Sequence, residues 1–145
     1  LATFQVAALL VVAAITGISI AAGIGAVLVI LAAAALLDLA VTASFTALAY
    51  RAPGHGTFFA ITGFITLPLL FMSNAFVPVH VLPGWMEVVA RMNPLTYAIE
   101  AMRIPIIEGW TVEILRPLGV LAAIAALCLA VGAQQFNRLT ADRVR

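Results

Sequence analysis

Between Leu1 and Tyr50 the chain carries one side chain that would normally be charged, Asp38. A helix of that length would extend roughly 75 Å at 1.5 Å per residue, more than twice the hydrocarbon thickness of about 30 Å. The run must therefore fold back once, and glycines gather where it can, at Gly17, Gly23 and Gly25. Two membrane spans are predicted, 2–20 and 24–50, the second long enough to tilt or to project beyond the bilayer. A water-facing surface cannot be assembled from such a run. The rest of the chain agrees, with 65% hydrophobic and 9% charged residues and a mean hydropathy of +1.20, where soluble domains carry about 25% charge.

The few charges exclude several classes of function. Net charge is +1, lysine is absent, and the seven basic residues are scattered arginines, so a nucleic acid would find no electrostatic footprint. The one cysteine, Cys128, lies in an apolar run, which rules out an intrachain disulfide and leaves a Cys/His metal site without partners. Leu1 is neither a methionine nor the start of a basic leader, and is read as an interior point of a longer protein.

After Tyr50 the segment Arg51-Ala-Pro-Gly-His-Gly56 reads as a tight polar loop. A third span is predicted over 57–76, with Pro68 removing one backbone hydrogen bond and inviting a kink. A fourth is predicted over 115–136, with Pro117 in its first turn, where a missing N–H costs least. The tail from Asn137 to Arg145 is polar and basic. Residues 77–114 are too apolar for a solvated loop and too often broken by Pro78, Pro83, Pro94 and Pro105 for a span, which makes them interfacial or re-entrant. Within them Pro83-Gly84 starts a short helix through Trp85–Met92. Asn93-Pro94 supplies a cap and a first-turn proline for a second helix over 94–103. Glu87 and Arg91 are i,i+4 and Glu100 and Arg103 i,i+3, so each pair can neutralise itself. The predicted fold is all-α: one transmembrane helix bundle over 1–145, with about four spans and a re-entrant or interfacial helical hairpin before the last.

Arginine placement orients the bundle. Arg51, Arg138, Arg143 and Arg145 fall on one side, Arg91, Arg103 and Arg116 on the other, and two of those three have an acidic partner one turn away. Glu87, Glu100, Glu108 and Glu113 share that second side. The Arg51 loop and the C-terminus are therefore placed in the cytoplasm and 77–114 outside.

Asp38 sits near the middle of the second span, where an ionised carboxylate costs at least about 2.5–3.5 kcal/mol on insertion scales. It is either a polar residue of a translocation path or a hydrogen-bonded carboxyl satisfied by Thr42, Thr16, Thr62 or Thr66. His55 and His80 fall on loops at opposite sides and cannot share a site. No metalloprotease, serine-nucleophile or phosphate-loop pattern occurs, so the chain has no catalytic residues of its own and no metal set. The alanine runs 32–35 and 122–126 let helix backbones approach closely. Trp85 and Trp110 are interface anchors.

The stretch Pro68-Leu-Leu-Phe-Met-Ser-Asn-Ala-Phe-Val-Pro78, then Leu82-Pro-Gly-Trp85, Arg91-Met-Asn-Pro-Leu-Thr-Tyr97 and Glu100-Ala-Met-Arg103 resembles the signature of the type 2 ABC exporter permeases, a family that includes daunorubicin-resistance and nodulation permeases. Ser73, Pro78, Pro83, Gly84, Trp85, Asn93, Pro94, Tyr97 and Arg103 carry the match, which covers about a quarter of the chain. Asn74 stands where many members have glycine, and Asp38 falls on no family motif. The resemblance implies a six-span permease of a drug, lipid or polysaccharide exporter in the cell membrane, of which this chain holds the last four spans, its signature helices forming an outer gate. It also implies a cytoplasmic ATP-binding subunit that carries ATP and magnesium, and a second permease copy or paralogue in the surrounding lipid. The main ATPase-contacting elements of the family would lie upstream of Leu1, leaving Arg51–Gly56 as the remaining inner loop that could touch an ATPase. A non-transporting assembly or anchoring protein is the alternative.

Overall fold

The computed structural model describes residues 4–6, 8, 23–76 and 78–143, which are mostly helical, with no β-strand among the described residues. Five α-helices follow in order: α1 (Gly23–Ala49), α2 (His55–Phe71), α3 (Gly84–Met92), α4 (Pro94–Ile107) and α5 (Leu115–Arg143). Short 3₁₀ turns at Val79–Val81 and Val112–Ile114 lead into α3 and α5. The predicted first span lies outside the described residues except for 4–6 and 8, which are helical.

The packed unit is α1 with α5 and α4. Ala33 of α1, Ala98 and Ala101 of α4 and Leu121 of α5 are fully buried together. Small side chains bring three backbones close, which in a bilayer replaces the hydrophobic driving force available in water. The direction of packing is read from its contacts. Near one end Val29 meets Ile104 and Ile114, in the middle Ala33 meets Leu121, further on Gly132 lies against Ala43, and Tyr50 meets Phe136 with ring centroids 6.3 Å apart. Residue numbers rise together, so α1 and α5 are parallel, and α4 runs antiparallel between them over half their length. The Arg51 loop and the end of α5 therefore share one end of the bundle, the tail end. Residues 78–114 occupy the other, the hairpin end. At the hairpin end the Trp110 indole fills the space that a Cβ on Gly25 would need.

Two described stretches are long and apolar enough to cross a membrane, Gly25–Ala49 and Val112–Phe136, with mean hydropathies of 2.5 and 2.3. The third predicted span is shorter than expected. Its helix covers 17 residues, His55–Phe71, rather than 57–76, and none of them is buried. The stop is chemical. The Ser73 hydroxyl donates to the Leu70 carbonyl at 2.7 Å and accepts from the Ala75 N–H at 3.3 Å, giving the helix end the partners that a further turn would have provided. Pro68 within the helix removes a further backbone donor. The last helix is longer than expected, because the polar tail continues as helix to Arg143.

The hairpin helices follow their caps. α3 begins at Gly84 after Pro83, and α4 begins at Pro94 after the Asn93 cap, as predicted. α4 runs past Arg103 through Pro105 to Ile107, and Gly109 with φ 78° then turns the chain away.

Candidate functional site

The depth of the hairpin follows from its neighbours. Leu37 and Ile124 are the midpoints of the two crossing stretches, and together with Leu69 they surround Met92, Asn93, Pro94 and Leu95. The apex between α3 and α4 thus lies halfway along the bundle. α2 also ends there, so a helix C-terminus and a helix N-terminus meet at mid-depth.

Such ends leave carbonyls and N–H groups without partners, which inside a membrane is expensive. Asn93 supplies both needs. Its Nδ2 donates to the Leu69 carbonyl at 2.6 Å and, at 3.5 Å, to that of Met72, the exposed end of α2. Its Oδ1 accepts from the Leu95 N–H at 3.0 Å, the exposed start of α4. The residue is 2% exposed. One amide therefore staples α2 to the hairpin, and only a side chain with both donor and acceptor can do this. Beside it the Tyr97 hydroxyl donates to the Arg91 carbonyl at 2.6 Å, closing the bend from the α4 side.

Of the two predicted charge pairs one forms. Arg91 reaches Glu87 at 2.6 Å. Arg103 instead donates to the Asn74 carbonyl at 3.3 Å, tying α4 to the turn after α2, and Glu100 forms no ion pair among the described residues.

The apex separates two cavities. Toward the tail end lies an apolar one of about 620 Å³, walled by α1, α2 and α5 through Phe45, Leu48, Ile65 and Cys128, and roofed by Met92–Leu95. Toward the hairpin end lies a polar one of about 430 Å³, with Asn74, Thr96, Tyr97, Glu100, Arg103 and Arg116 in its wall along with the Glu87–Arg91 pair. An amphipathic molecule would find apolar walls below the apex and charged walls above it.

The signature residues divide by position. Asn93, Pro94 and Tyr97 build the apex. Ser73, fully buried, stops α2; Pro83 and Gly84 start α3; Pro78 and Arg103 line the polar cavity. Trp85, in the first turn of α3, is 64% exposed, and so is Trp110 at 63%, both at the hairpin end where rings can meet headgroups. Asp38 lies in the middle of α1 and accepts from Thr42 at 3.4 Å, one of the partners expected for it; it lines neither of these cavities. Thr62 and Thr66 donate to carbonyls of their own helix. His55 is the first residue of α2 at the tail end, and residue 80 lies in the 3₁₀ turn at the hairpin end. Sequence reasoning missed Thr96, Glu100 and Arg116 as parts of one site. The spacing of Thr96, Glu100 and Arg103 at i, i+4 and i+7 was the available signal, since it puts all three on one face of α4.

Two apolar helices of crossing length, enclosing a hairpin that enters from one end and turns at mid-depth, fit the class of integral membrane proteins. Residues 1–107 match the family described as ABC-2 type transporter, and the chain belongs to that family. It is similar to the putative transport permease ycf38 of Porphyra purpurea, 40% identical over 68 residues, which is 47% of this chain and 23% of that protein. The ycf38 protein of Pyropia yezoensis matches with the same identity and coverage. The daunorubicin resistance ABC transporter permease protein DrrB1 of Streptomyces coeruleorubidus is 46% identical over 39 residues, 27% of this chain and 14% of that protein. The match thus spans about a quarter of the length of the ycf38 relatives. No solved structure matches the chain significantly.

Proposed function

We propose that this chain forms part of the permease subunit of an ATP-driven exporter, and that the α3–α4 apex is its outer gate. The supporting observation is the pair of cavities, apolar and polar, separated at mid-depth by Met92–Leu95 and stapled by Asn93. Broken helices that meet at the midplane are where transporters place their sites, because freed backbone groups there are tolerated only against protein or a cavity. In this reading the tail end faces the cytoplasm of the cell membrane. An amphipathic drug, lipid or glycan enters the apolar cavity, and the apex moves to release it outward. ATP is hydrolysed by a separate cytoplasmic subunit, with the Arg51–Gly56 loop at the end that faces it, and a second permease copy or paralogue completes the path. The names of the relatives, transport permeases and a daunorubicin resistance permease, support the same reading.

The test uses the full-length permease with the ATP-binding subunit encoded beside it. A Leu95→Cys variant in a Cys128→Ala background should react with a membrane-impermeant maleimide from the hairpin side only while ATP is turned over. Labelling that ignores ATP would remove the gate. Absence of ATP-dependent transport and of any copurifying ATP-binding subunit would remove the exporter.

A further inference from the structure

The polar cavity is over-supplied with unpartnered polar groups. Thr96 is 5% exposed, yet its Oγ1 has no hydrogen-bond partner, and the buried Oδ1 of Asn74 across the cavity has none either. A buried hydroxyl or amide left so costs about 1–3 kcal/mol. Two of the five charges are likewise uncommitted. Glu87 and Arg91 neutralise each other. Arg103 spends one N–H on the Asn74 carbonyl, while Arg116 and Glu100 make no hydrogen bond or ion pair among the described residues. Three arginines against two glutamates leave the cavity at +1. Arg116 also lies in the first turn of α5, whose N-terminal dipole adds to the positive potential.

We propose that this cavity binds a monoanionic phosphodiester bearing free hydroxyls, of the glycerophosphoglycerol type. Guanidinium groups present forked donors that match phosphate oxygens; Arg116 holds its fork uncommitted, and Arg103 has spent one N–H of its own. A single negative charge balances the cavity. Hydroxyls then satisfy what the phosphate cannot: one donates to Asn74 Oδ1, and the other donates to the Glu100 carboxylate and accepts from the Thr96 hydroxyl. A choline headgroup has no hydroxyl to give and adds a cation beside two arginines. The site sits at the hairpin end, where the exposed rings of Trp85 and Trp110 meet the headgroup layer, so either a membrane lipid or a passing substrate could deliver this chemistry. Binding of this kind does not depend on export.

The full-length permease, purified in a neutral detergent, is presented with phosphatidylglycerol and phosphatidylcholine at equal concentration, and retained lipid is counted by native mass spectrometry. At least a tenfold preference for phosphatidylglycerol is expected. The preference should fall at least fivefold in Arg116→Gln, which breaks no bond of the fold, and further in Arg103→Gln/Arg116→Gln, with the melting temperature of Arg116→Gln unchanged. Water-soluble glycerophosphoglycerol in excess displaces the lipid if the headgroup alone is read, as for a soluble substrate moiety; if it does not, the lipid anchor is part of the ligand and the source is the membrane. Equal retention of both lipids, or retention of phosphatidylglycerol that Arg116→Gln leaves untouched, overturns the proposal.

Discussion

The α1–α4–α5 unit and α2 are held by different physics. The first is joined by shape: Ala33, Ala98, Ala101 and Leu121 are buried without a polar atom among their side chains. The second buries no residue and is joined to the hairpin by the hydrogen bonds of Asn93 to Leu69 and Met72. Packing by shape is spread over many small contacts and is hard to undo in one step. A hydrogen-bonded staple is all or nothing, and a change at one residue releases it. That difference makes the first unit the rigid one and the α2–Asn93 seam the one that a single substitution releases.

The comparison is broken most directly at Asn93. Asn93→Ala leaves the Leu69 carbonyl and the Leu95 N–H unpaired, and two such groups at about 1–3 kcal/mol each should cost about 2–6 kcal/mol. Hydrogen exchange should rise over the end of α2 and the start of α4 and leave α1 and α5 protected. Exchange that rises equally everywhere would mean that the two regions are one. Ala98→Leu should do the reverse. Overpacking among three close backbones costs about 1–3 kcal/mol, lowering the melting temperature of the full-length protein while exchange at the α2–Asn93 seam stays as in the parent. Tyr97→Phe sharpens the seam further: losing the bond to the Arg91 carbonyl should cost about 0.5–1.5 kcal/mol, read as faster exchange at the bend alone. The smallest effect is expected from Glu87→Gln. The Arg91 side chain of that pair is 66% exposed, so the loss should be about 0.5 kcal/mol or less and should vanish in high salt.

The sequence made the apolar helices and the hairpin caps legible, and for the same reason: both are local. α1 and α5 follow from runs of apolar residues, α3 from Pro83-Gly84, and α4 from Asn93-Pro94. What stayed hidden depends on residues far apart in the chain. The end of α2 is held by Asn93, which reaches Leu69 from 24 positions away. Arg103 lies one turn from Glu100, yet its bond goes to the Asn74 carbonyl, 29 positions back. The polar cavity draws on the turn after α2, on α3, α4 and the first turn of α5, and no single stretch announces it. Asn93 was legible as a cap; that its other atom serves a second helix was not.

The parallel pairing of α1 with α5 has a consequence for how the protein is made. Ala33 finds Leu121 about ninety positions further along the chain, and at about 5–20 residues per second a ribosome needs several seconds to produce it. During that interval the alanine face of α1 rests against lipid or an insertion chaperone. α5 is therefore the helix that closes the α1–α4–α5 unit, and a nascent chain cut short before it leaves the alanine face of α1 with only α4 to cover it.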